Sequence, residues 1–217
     1  MTDTELDHIF DMVVDQIARY SKERRASTQP FHLEAVESQF PDYSYDQMND
    51  VVREPLIEHV GSLPIIATAL HPYINDDSVD LGDALIMMAV HDIGELETGD
   101  ESTFTKSDDD EDTEYKAALE ILHPSLHSYY DRVEKQSDNS GKFAKSIDKI
   151  APDFLDFMTP GEYTLSRFDT FADVNGADEI IDLVRQHKGP YFAWNPFLAE
   201  LHEHLLARTL EKLKAAS

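Results

Sequence analysis

His91 and Asp92 stand side by side directly behind an almost continuously apolar stretch, Leu85, Ile86, Met87, Met88, Ala89 and Val90. Two more residues of ligand type, His59 and Asp148, lie in segments with helical apolar spacing on either side of that pair. Two imidazoles and two carboxylates form a nitrogen and oxygen set suited to one divalent ion, Mn, Co, Fe, Ni, Zn or Mg, with positions left for water and a phosphate. Adjacent helical residues point about 100° apart, so amphipathicity does not account for a His-Asp pair, whereas both side chains can turn toward one ion at a helix end. A bare pair of this kind is more often a capping histidine beside a solvated aspartate than a ligand pair. Asp148 adds weight to the metal reading, because Ile147 and Ile150 flank it and a carboxylate near buried surface needs a cation or a hydrogen-bond partner.

An isolated His59, the pair His91-Asp92 and the distant Asp148 together resemble the pattern of the HD-domain superfamily of metal-dependent phosphohydrolases. The string HDIGELETGD over residues 91–100 extends the likeness. Glu95, four residues after His91, and Thr98, Gly99 and Asp100 look like the motif of the 5'-deoxynucleotidase-like branch. The match spans roughly residues 55–155. The resemblance implies an all-α fold, a bundle of helices around a single metal site, and a small phosphorylated substrate, a nucleoside 5'-monophosphate that is often deoxy. It makes Glu95 the general acid or base and Asp100 a second acidic group near the substrate. A carboxylate so placed can take a proton from an attacking water or deliver one to the leaving ribose oxygen. Without the motif, Glu95 and Asp100 read as an acidic turn around two glycines.

In the same branch an arginine ahead of the first metal histidine contacts the phosphate, and Arg24 or Arg25 is the counterpart here. Guanidinium suits a planar, bidentate grip on phosphate. About thirty residues separate these arginines from His59, and Ala26 stands where that branch has an aromatic neighbour. Lys149, beside Asp148, is a further substrate-binding candidate, although neighbouring helical positions point apart. His123 and His127 have the i, i+4 spacing of a metal pair but no third ligand near them in sequence. Trp194, in PYFAWNPF, reads as an anchor for a C-terminal helix.

The elements that must position these residues are helical. Leu6, Ile9, Phe10, Val13, Val14 and Ile17 predict an amphipathic helix, with Thr4 as its N-cap, ending in the basic run at residues 22–25. Residues 26–50 read as a long connection holding Pro30 and Pro41. A helix starting near Pro55 carries His59, and Pro64 predicts a kink or an early break. The next, from Asp80 to Val90, is apolar enough to lie at the centre of the fold. The acidic run 108–112 reads as a solvated loop leading into a helix with Tyr115, Ala118, Leu119 and Leu122. Further helices are expected at 126–134, 142–157, 177–186 and 196–213, with no strand alternation. Residues 1–217 are expected to form one domain, with the helices at 177–213 packed on the motif core.

Composition bounds the partners. The chain has 217 residues, no cysteine, and 44 acidic against 18 basic residues, a formal charge of -26. Thiolate ligands, thiol nucleophiles and disulfides are therefore excluded. So acidic a surface repels duplex nucleic acid and anionic membrane, while a bound cation and a few local bases still admit a small anionic substrate. No apolar stretch approaches a membrane span, and Met1 is followed by Thr2, Asp3, Thr4 and Glu5, so the expected location is the cytoplasm. The helix at 196–213 could supply a homodimer interface. Two other readings stay open: an HD phosphohydrolase acting on another phosphate ester, and a non-catalytic module whose acidic surface binds a basic protein.

Overall fold

The computed structural model describes residues 2–22, 56–99, 107–172, 174 and 176–216, and every regular element among them is helical. The fold class is all-α.

Helix α1 (Asp3–Lys22) buries Leu6, Ile9, Phe10 and Val13 on one face. Its cap is Thr2 rather than Thr4: the Thr2 hydroxyl meets the Glu5 amide at 3.3 Å, and the Thr2 amide donates to the Glu5 carboxylate at 2.7 Å. The reciprocal pair satisfies two amides at once, which Thr4 cannot do. Helix α2 (Leu56–Leu70) runs unbroken through Pro64. Buried Leu63, Ile66, Ala67 and Leu70 carry it past the proline, and the Ser62 hydroxyl donates to the His59 carbonyl at 2.8 Å one turn earlier.

Helix α3 (Leu81–Val90) is capped by Asp80, whose side chain accepts from the Asp83 amide. It lies against α2 and two later helices, yet Ile86 and Ala89 face outward, so its apolar character exceeds what it buries. A tight turn then leads into the single-turn helix α4 (Glu95–Thr98). The acidic run is the first turn of α5 (Asp108–Ile121), capped by Ser107 in a reciprocal box with Asp110. It is helix rather than loop because carboxylates are favoured at the positive end of the helix dipole.

Helix α6 (His127–Glu134) precedes α7 (Asn139–Met158), the axis of the molecule, against which α2, α3, α6 and α10 all pack. More than half of α7 is buried, from Ser140 to Phe154, including Asp148. Helix α8 (Gly161–Ala172) was not anticipated from sequence; its signal is the pair Thr164 and Phe168, buried one turn apart. Helices α9 (Ala177–Lys188) and α10 (Pro196–Ala216) complete the bundle. The main core joins residues of α1, α2, α3, α6, α7 and α10, and a second cluster holds α8 and α9 on α10. No described helix is long and apolar enough to cross a membrane.

Candidate metal centre

Two helices and one turn deliver the ligand-type side chains. His59 comes from the first turn of α2, His91 and Asp92 from the turn that ends α3, and Asp148 from the middle of α7. Because α2 and α3 both pack on α7, residues up to 89 positions apart in sequence meet in one cluster. Ligand atoms of His59, His91 and Asp148 all lie within 4.8 Å of one another.

Asp148 divides its two oxygens. Oδ1 lies 3.2 Å from His59 Nε2 and 3.3 Å from His91 Nε2, while Oδ2 lies 3.1 Å from the Lys149 ammonium and 4.0 Å from that of Lys145. Asp92 reaches the same imidazoles with different oxygens, Oδ1 at 2.9 Å from His91 Nε2 and Oδ2 at 3.5 Å from His59 Nε2.

His91 is 1 % exposed. Its Nδ1 donates to the Met88 carbonyl at 2.9 Å, which fixes the proton on that nitrogen and turns the Nε2 lone pair into the cluster. Nε2 itself has no hydrogen-bond partner among the described residues, although Asp92 Oδ1 and Asp148 Oδ1 lie 2.9 and 3.3 Å from it. A buried imidazole nitrogen without a hydrogen bond, facing carboxylates and a second imidazole, fits a divalent ion.

Charge in the cluster is strongly coupled. Burial pushes the His91 imidazolium down, but the Asp148 and Asp92 carboxylates override it and lift His91 to about 10. His59 follows the same pattern, lowered by burial and raised further by Asp148 and Asp92. Burial would raise Asp148, yet Lys149, His91 and His59 hold it well below the usual carboxylate range. A cation belongs among these carboxylates, and protons on the imidazoles occupy that role when no metal is bound.

The other sequence candidates divide. Glu95 opens α4, half-buried, four residues beyond His91. Lys149, expected to point away, keeps its ammonium beside Asp148, because a long flexible stem can curl back toward its neighbour. Arg24, Arg25 and Asp100 lie outside the described residues. Trp194 donates its indole N–H to Ser146 on α7 at 3.0 Å.

Sequence reasoning missed Lys145. It stands one turn before Asp148 on the same face of α7, pairs with Glu134 of α6 at 2.9 Å, and is largely buried. Burial alone would lower it, but Glu134 and Asp148 raise it, so it stays charged. The i, i+3 spacing from Asp148 was the available signal.

A family model described as HD domain matches residues 44–180. The chain belongs to the HD domain family. All four ligand-type residues and Glu95 fall within the matched span, whereas α10 lies beyond it. The HD fold is matched by a crystal structure described as a predicted metal-dependent phosphohydrolase from Magnetospirillum magnetotacticum. That protein is 23% identical, with a TM-score of 0.51 over 73% of this chain and 82% of its own. No curated protein matches the sequence.

Proposed function

We propose that this HD-domain protein is a metal-dependent phosphohydrolase, and more narrowly a phosphomonoesterase acting on (deoxy)nucleoside 5'-monophosphates. The observation that carries the metal is the buried His91 Nε2, without a hydrogen bond, amid His59, Asp92 and Asp148. These four residues hold one divalent ion, Mn, Co, Fe, Ni, Zn or Mg. When bound, the ion supplies Lewis acidity that activates water and polarises the phosphoryl group. The Nδ1–H bond from His91 to the Met88 carbonyl keeps its imidazole in the ligating tautomer. Lys149 meets the negative charge of the substrate phosphate, with Arg24 or Arg25 as the guanidinium grip. Glu95 moves the proton between water and the leaving ribose oxygen, and Asp100 is the second acidic group at the substrate.

The nucleotide preference rests on Glu95 and the Thr98, Gly99, Asp100 triplet, which resemble the deoxynucleotidase-like motif. The test is phosphate release from a panel of ribo- and deoxyribonucleoside 5'-monophosphates with Mn, Co, Mg or no metal, for wild type and Asp92→Ala. Metal-dependent release lost in the variant is the expected result. No release from any member, together with no change in Asp92→Ala, overturns the reading; release only from other phosphate esters keeps the hydrolase and removes the nucleotide.

A further inference from the structure

The 3-10 turn Gly189–Tyr191 sits between α9 and α10, beyond the residues matched by the HD-domain model, yet it is bolted to the helix that carries Asp148. Ser146, fully buried two positions before Asp148, points its hydroxyl at the Tyr191 carbonyl at 2.8 Å and the Lys142 carbonyl at 2.7 Å, which share its one proton, and accepts from the Trp194 indole at 3.0 Å. Asn195 adds a buried bond, donating to the Ile74 carbonyl at 2.9 Å. So fastened, the turn holds the Tyr191 ring 5.8 Å from the Lys149 ammonium, which itself lies 3.1 Å from Asp148 Oδ2.

Among the described residues Lys149 has these two partners only. Its neighbour Lys145 is differently placed, committed to Glu134 at 2.9 Å. A lysine ammonium on a four-carbon stem wanders among rotamers and loses that freedom on being fixed. Its ammonium is already in ion-pair contact with the Asp148 carboxylate on one side. The face of an aromatic ring offers a second, uncharged attraction that shares the ammonium without neutralising it. Lys149 keeps 17 % of its side chain exposed, and Tyr191 is likewise partly exposed, so an anion can approach the pair from solvent.

We propose that Tyr191 is the positioning residue for Lys149, so that a turn outside the family-matched span completes the phosphate side of the site. The proposal rests on the phosphohydrolase reading above. The experiment is calorimetric titration of the Mn-loaded full-length protein with inorganic phosphate, for wild type, Tyr191→Leu, Tyr191→Met, Tyr191→Phe, Lys149→Met and the Lys149→Met/Tyr191→Leu double variant. Mn affinity is measured alongside as a readout of the ligand cluster itself.

Removing the ring in Tyr191→Leu or Tyr191→Met weakens phosphate binding about two- to fivefold, the scale of a partly exposed cation–π contact. Tyr191→Phe restores it, Mn affinity stays at the wild-type value, and the Tyr191→Leu effect vanishes in the Lys149→Met background. Phosphate binding by both ring-free variants equal to wild type overturns the proposal and leaves the phosphohydrolase reading standing. An undiminished effect in the Lys149→Met background also overturns it, since the ring would then act without the lysine. If the Mn-loaded wild type binds no phosphate, the proposal is overturned, while phosphate release from the nucleotide panel still decides the reading it rests on.

Discussion

Replacing Gly94 with alanine sets two effects of known scale against each other. Gly94 precedes α4 with φ -64° and ψ -31°, an ordinary right-handed helical conformation. Alanine therefore fits the backbone, and by narrowing the unfolded ensemble it would stabilise by about 0.4–1 kcal/mol. The new Cβ, however, would lie 2.4 Å from the carbonyl oxygen of Glu114, 2.7 Å from its Cγ and 3.1 Å from its carbonyl carbon. The nearest of these atoms is backbone in the middle of α5, so no rotamer change relieves it. Relaxing to an ordinary contact of roughly 3.5 Å moves either α5 or the turn at residues 91–94 by about 1 Å. Overpacking of this kind costs about 1–3 kcal/mol, more than the entropic gain. With a backbone atom as the nearest contact the cost lies in the upper half of that range, so the net loss is about 1–2.6 kcal/mol, which lowers Tm by roughly 2–10 °C in a chain of this size. Thermal unfolding followed by circular dichroism reads the stability, and calorimetric Mn titration reads the consequence for the turn bearing His91 and Asp92, where affinity falls too. Adding Glu114→Ala removes the Cγ contact but not the carbonyl, so it does not rescue. An unchanged or raised Tm in Gly94→Ala refutes the reasoning that α5 is packed rigidly on this turn.

Divalent metal raises the Tm of the wild type, by about 2.7 kcal/mol of stability at a hundredfold excess over Kd, and Asp148→Asn abolishes the rise; thermal shifts with and without EDTA decide it. Asp153→Ala costs about 3–5 kcal/mol, because it strands the buried Lys188 ammonium that it pairs with beside His202, whereas the apolar double exchange Asp153→Leu/Lys188→Met comes close to neutral in urea unfolding. Arg132 joins α3 to the start of α7 through Asp83 at 2.7 Å and Asp138 at 2.6 Å, and Arg132→Ala loses about 0.5–1.5 kcal/mol near neutral pH. Burial would raise the Asp138 carboxyl, but Arg132 and the Gly141 amide lower it, so its contribution is present above the unfolded carboxylate pKa of about 4 and is lost as pH falls through the lower folded value. The gap between wild type and Arg132→Ala accordingly narrows in acid, and a gap constant from pH 7 to pH 2 contradicts the pairing.

Much of this protein is written locally. The 3.6-residue spacing of Leu6, Ile9, Phe10 and Val13, and of the residues around Asp148, specifies helices whose apolar faces the structure buries, because that periodicity has one stable use in water. The absence of cysteine limited any metal ligands to nitrogen and oxygen, and the spacing of His59, His91, Asp92 and Asp148 carried the family likeness. Local chemistry misled where it competes with packing. Pro64 lacks an amide, yet buried side chains on either side of it keep α2 whole, and the acidic run 108–112 is helix because Ser107 caps it. What only the tertiary structure decided is who meets whom. Lys145 and Glu134 come together across α7 and α6, the Asp148 carboxylate faces imidazoles with one oxygen and ammonium groups with the other, and Tyr191 arrives beside Lys149 from 42 positions further along the sequence. No periodicity encodes those meetings, since they follow from how helices lock ridge into groove around α7, a property of summed packing and not of any one segment.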